Sequence, residues 1–75
     1  MKILCSDFDN TLYFKDDIEK TTKNIEAVRN FITQGNIFCI ISGRTYMELK
    51  PDLIKLNVPY TYLVCADGAM ILDST

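Results

Sequence analysis

Three short, nearly unbroken apolar runs constrain this 75-residue chain more than any other feature. They are Ile3–Ser6, Ile37–Ser42 and Tyr62–Ala66, each bounded by polar residues or Gly. Runs this short and continuous suit strands buried on both faces, as in a parallel sheet covered by helices. The stretches between them have helical spacing. In Thr21–Gly35, the apolar residues Ile25, Val28, Phe31 and Ile32 share one face; Thr21 or Thr22 can cap the start and Gly35 can end the helix in a left-handed conformation. Asp16-Asp17-Ile18-Glu19 ahead of it reads as a solvated acidic loop. In Thr45–Asn57, Tyr46, Leu49, Leu53, Ile54 and Leu56 recur at helical spacing, Pro51 predicts a kink or two short pieces, and Asn57 before Val58-Pro59 is a stop. The order strand, helix, strand, helix, strand is a three-stranded parallel βαβαβ half of a doubly wound α/β fold, with right-handed crossovers. The tail Ala69–Asp73 follows Gly68 and is placed to be one arm of a terminal hairpin. Residues 1–75 form one domain at most.

Composition narrows the chemistry. The formal charge is −2 and no basic stripe exists to neutralise phosphates, so nucleic acid is not an expected partner. There is no His, which leaves a carboxylate, Lys, Tyr or Cys as the only general bases. No apolar run approaches a membrane span, and the first residues do not make a signal peptide. Cys5, Cys39 and Cys65 each sit in an apolar run, which fits buried thiols in a reducing compartment better than a disulfide framework or a zinc knuckle. The expected setting is the cytoplasm, with no membrane association.

In open α/β sheets ligands bind beyond the carboxyl ends of the strands. The residues there are Asp7-Phe8-Asp9-Asn10-Thr11-Leu12, then Ser42-Gly43-Arg44, then Asp67-Gly68-Ala69. Two carboxylates one residue apart can be aimed at the same point by a turn, one as nucleophile and one handling protons. Paired acids also form a hard-oxygen site suited to Mg2+. A hydroxyl beside Gly at the start of a helix suits phosphate as well as capping. Asp67-Gly68 equally reads as the turn that opens the tail hairpin, and Tyr13-Phe14 fits either a flap over the site or the core.

In these three places the sequence resembles the haloacid-dehalogenase-like phosphatases. Asp7-Phe8-Asp9-Asn10-Thr11-Leu12 is similar to their first motif, Asp-x-Asp-x-Thr. Ile41-Ser42-Gly43-Arg44 is similar to the second motif of the Cof-type subgroup. Cys65-Ala66-Asp67-Gly68-Ala69 resembles the stretch after that subgroup's third strand, with Asp67 where Asn is common. The resemblance implies that Asp7 attacks phosphorus to form an aspartyl-phosphate and that Asp9 protonates the leaving group and then activates water. It implies that Thr11 fixes the loop and the orientation of Asp9, and that Ser42 and the Gly43 amide hold phosphoryl oxygens. Arg44 and Asp67 become candidate substrate contacts, and Mg2+ is held by the Asp7 carboxylate and the Asp9 backbone carbonyl. The implied substrate is a small phosphorylated metabolite, by association a sugar phosphate.

The family's later parts are absent from these residues. They are a Lys motif, a late acidic pair, the cap domain and the strands beyond it. The resemblance therefore describes a partial catalytic core, the N-terminal portion of such an enzyme, with little turnover expected of the chain alone. It also implies that the first strand is left as an unpaired apolar edge, which predicts self-association through that edge or pairing with a complementary chain. Two other functions compete. One is a non-catalytic fragment that binds phosphate or Mg2+ or serves as an interaction module. The other is a phospho-acceptor domain like a response-regulator receiver, which fits less well because receivers place the acidic pair and the acceptor Asp on different strands.

Overall fold

A computed structural model describes residues 1–68 and 70–72. Its elements in chain order are β1 (Ile3–Asp7), α1 (Ile18–Thr33), β2 (Ile37–Ile41), α2 (Tyr46–Leu56), β3 (Tyr62–Val64) and β4 (Met70–Leu72). They form one sheet in the order β1-β2-β3-β4. The first three strands are parallel and β4 runs antiparallel to β3, pairing Tyr62 with Leu72 and Val64 with Met70. The predicted βαβαβ half is therefore present, and the tail is a hairpin arm. Its turn carries Gly68 at φ 84°, whose N–H donates to the Cys65 carbonyl at 3.0 Å. Ala69 and Asp73, also assigned to that arm from sequence, lie outside the described residues.

The first helix starts earlier than its apolar spacing suggests. Asp17 is the N-cap, accepting the Lys20 N–H at 3.0 Å, so Ile18 and Glu19 belong to the first turn and not to an acidic loop. Thr21 and Thr22 lie inside the helix. Thr21 is fully buried, and its hydroxyl accepts the Phe14 N–H at 2.8 Å and donates to the Phe14 carbonyl at 3.1 Å. Gly35, at φ 90°, follows the last turn as expected. The second helix opens on a capping box in which Thr45 and Glu48 satisfy each other's backbone N–H groups. It ends at Asn57 in the left-handed conformation. Pro51 does not divide it, and α2 is a single element of 11 residues. The carbonyl left without its helical donor belongs to Met47, a residue 80% exposed, where water can replace the bond.

The continuous apolar runs mislead on one point. Among the described residues only one face of the sheet is covered. Phe38, Ile40 and Leu63 are buried on that face with Ile25 and Val28 of α1 and Leu49 and Leu53 of α2. The residues that alternate with them point the other way: Ile3 is 66% exposed and Ile41 45%. β1 ends the sheet, so even Leu4, on the covered side, is 51% exposed. For the same reason the thiols are not all buried. Cys65 is buried and Cys39 half-buried, but Cys5, beside Cys39 in the register, is exposed. Burial, with Cys5 alongside, pushes the Cys39 thiol pKa up. Among the described residues no helix is long and apolar enough to cross a membrane.

Candidate active site

The exit from β1 is a tight, well-bonded turn. Phe8 is buried, and its carbonyl accepts the N–H groups of Leu12 at 3.0 Å and Tyr13 at 2.8 Å. Asn10 adopts φ 60° and donates its N–H to the Tyr13 carbonyl at 2.8 Å. Asn tolerates this left-handed conformation better than most residues. Tyr13 stacks on Phe8 with ring centroids 5.3 Å apart and packs against the core. Asn24 on α1 ties the turn down by donating to the Leu12 carbonyl at 3.2 Å. With Phe8 turned into the core, its two acidic neighbours face out. Asp7, Phe8, Asp9, Ile41, Ser42 and Gly43 line one cleft of about 300 Å³.

The second strand end supplies the opposite wall. Ser42 is nearly buried, and its N–H donates to the Val64 carbonyl at 2.9 Å, which fixes the loop to β3. Its hydroxyl oxygen accepts the Arg44 N–H at 3.1 Å, leaving the hydroxyl proton to donate elsewhere. A Cβ at Gly43 would meet nothing within 4 Å, so that backbone is open to approach.

Arg44 makes the strongest polar contacts of the site. Its Nε donates to Asp9 Oδ2 at 2.9 Å and its Nη2 to Asp9 Oδ1 at 2.8 Å, a two-pronged grip on the carboxylate. Its Nη1 donates to Asp52 Oδ2 at 2.9 Å. The guanidinium carbon lies 5.4 Å from the centre of the Phe8 ring. Burial by itself lowers the Arg44 pKa, but the bonds to Asp9 and Asp52 outweigh it and the net shift is upward. An adjoining cleft of about 510 Å³ is lined by Asp9, Asn10, Tyr13, Lys15, Arg44 and Asp52. Asp9 therefore borders both spaces.

Of the residues singled out in the sequence, Asp7, Asp9, Ser42 and Gly43 meet at one cleft, and Arg44 stands beside it. Thr11 is at the exposed apex of the turn, away from that lining; its carbonyl accepts from Asn24 at 3.4 Å. Asp67 lies in the exposed turn before β4 and does not line that cleft, although the neighbouring Ala66 N–H donates to the Arg44 carbonyl at 3.0 Å. Burial raises the pKa of the neighbouring Cys65 thiol, and the Asp67 charge adds to the shift. Asp52 was not visible as a site residue in the sequence. No helical spacing flags it, because Arg44 lies in the loop ahead of the Thr45 cap while Asp52 lies within α2.

Residues 4–75 match the family model described as haloacid dehalogenase-like hydrolase. A protein of Bacillus subtilis named 5-amino-6-(5-phospho-D-ribitylamino)uracil phosphatase is 30% identical, covering 99% of this chain and 24% of its own length. A protein of Buchnera aphidicola subsp. Baizongia pistaciae named as a phosphatase is 34% identical, covering 95% of this chain and 26% of its own. An uncharacterized protein of Mycoplasma capricolum is 34% identical over 97% of this chain and 29% of its own length. The chain thus spans about a quarter of the curated relatives it matches. No solved structure matches it.

Proposed function

Because the chain belongs to the haloacid dehalogenase-like hydrolases, we propose that its strand-end cleft is the phosphoryl-transfer part of a Mg2+-dependent phosphomonoesterase, within a partial catalytic core over residues 1–75. The observation that carries this is the shared cleft of Asp7, Asp9, Ser42 and Gly43. An Asp7 carboxylate oxygen bonds to phosphorus as the ester P–O bond breaks, and Asp9 delivers a proton to the departing oxygen. Asp9 then takes a proton from water as the water oxygen attacks phosphorus, which releases inorganic phosphate and restores the Asp7 carboxylate. The Ser42 hydroxyl and the Gly43 N–H donate to the phosphoryl oxygens, where charge must be balanced in transit.

The donors suit Mg2+. The turn closes through the Phe8 carbonyl and the Asn10 N–H, so the Asp9 carbonyl stands outside its hydrogen bonds. The Asp9 carboxylate is engaged by Arg44, which leaves that carbonyl and the Asp7 carboxylate as hard oxygen donors. Bound there, Mg2+ would shield the anionic nucleophile from the anionic phosphate. The name of the Bacillus subtilis relative gives a phosphorylated small molecule as its substrate, and a small phosphorylated metabolite, sugar phosphate-like, is the class proposed here. The setting proposed is the cytoplasm, where Cys5, Cys39 and Cys65 stay reduced.

The test is release of phosphate from p-nitrophenyl phosphate with and without Mg2+. A slow, Mg2+-dependent release that disappears in Asp7→Asn is expected. Release that persists in Asp7→Asn, or none at any protein concentration, counts against the enzyme and for a second reading. In that reading the chain is an interaction module, favoured by the bare outer edge of β1 with Ile3 and Leu4 exposed. We propose that this edge pairs with a second copy of the chain; a stable monomer in sedimentation would refute the pairing.

A further inference from the structure

We infer that Asp52 is a positioning residue for Asp9, acting through Arg44. This rests on the reading of Asp9 as the proton carrier. A carboxylate gripped by both prongs of a guanidinium has one orientation, and that orientation is only as fixed as the guanidinium itself. If Asp9 were its only polar partner, the long Arg44 side chain would be at liberty to turn, and Asp9 with it.

The structure supplies a second attachment that does not depend on the charge of Asp9. Nη1, the nitrogen that Asp9 does not use, is held by Asp52 at 2.9 Å. Asp52 lies on α2, a helix fixed to the core by Leu49 and Leu53. The guanidinium also lies over the ring of buried Phe8. Arg44 thus has a seat with two fixed sides and one side that opens toward Asp9. The pair is partly screened, with side-chain exposures of 26% for Arg44 and 28% for Asp52, against 45% for Asp9. The better-covered bond is the anchor and the more exposed one is the working contact. Lys could not do this, since it lacks the planar fork that serves two carboxylates at once.

The deciding measurement needs no turnover. By NMR on the chain itself, the wild type should show a single Asp9 χ1 rotamer and slow solvent exchange of the Arg44 Nε–H. Asp52→Asn should give an averaged Asp9 rotamer and Arg44 exchange faster by about three- to tenfold, the range of a partly exposed charged pair. Asp52→Glu keeps the charge and should restore both signals. Arg44→Lys should average Asp9 without touching Asp52, and it decides the matter if Asp52→Asn does not fold. With p-nitrophenyl phosphate, Asp52→Asn should lower kcat by about three- to tenfold with KM unchanged. A single Asp9 rotamer in Asp52→Asn or Arg44→Lys, no rescue by Asp52→Glu, or an effect confined to KM overturns the inference. The NMR signals do not depend on Asp7 chemistry, so they can stand or fall apart from the phosphatase reading, which Asp7→Asn tests.

Discussion

The two faces of the sheet are built from the same kinds of residue and meet different fates. Phe38, Ile40 and Leu63 lie under both helices and are buried, whereas Ile3, Ile41 and Tyr62, their alternating neighbours, look outward. The two crossovers step the same way across the sheet, and crossovers of one hand then bring both helices to one side, where their apolar residues share one cluster with Phe38, Ile40 and Leu63. The contrast teaches that a continuous apolar run marks a strand in this chain without saying whether both of its faces are covered.

Substitution can sharpen or break that contrast. Ile40→Ala removes a fully buried side chain beneath the helices and should cost about 3 kcal/mol by urea titration. In a domain this small that is a large part of the total, so a shift under 1 kcal/mol would show the covered face to be loosely packed. Thr45→Ala strips the cap from the helix that covers β2 and β3 and should cost about 1 kcal/mol in the same titration.

A smaller effect follows from the partner of that cap. Backbone and side-chain hydrogen bonds from Thr45 hold the Glu48 carboxyl below its ordinary value of 4.5. A carboxyl with a depressed folded pKa stabilises the fold at pH above its unfolded value, and the contribution is lost as pH falls through the folded one. Acid titration of stability should therefore be shallower in Glu48→Gln than in the wild type below about pH 4.5. Smallest of all, Ile3→Thr on the bare face should change stability by less than about 0.5 kcal/mol. A loss comparable to that of Ile40→Ala would mean the face is covered in solution, and sedimentation would show by what.

Much of this was legible in advance, for local reasons. The strands were visible because Ile3, Ile37 and Tyr62 open unbroken apolar runs, and the second helix because Tyr46, Leu49, Leu53, Ile54 and Leu56 recur at helical spacing. The start of the first helix was misplaced because Asp17 outcompetes Thr21 as a cap; Thr21 is buried to tie down the Phe14 backbone, a bond spanning seven residues. The meeting of Asp7, Asp9, Ser42 and Gly43 followed from strand order alone, since residues that end adjacent parallel strands share one rim. Asp52 did not follow. Its part in the site depends on how far a side chain reaches from Arg44 and on the angle of α2 over the sheet, which no spacing rule encodes.

One distant contact bears on how the molecule comes apart. Arg29 of α1 reaches across to the Asn57 carbonyl at the end of α2, donating from Nη2 at 2.8 Å. That bond staples the first crossover to the exit of the second, so neither can fray by itself without releasing a charged hydrogen bond. The chain should open as one cooperative unit, with amides in the two helices exchanging their hydrogens at a common slowest rate instead of in two separate steps.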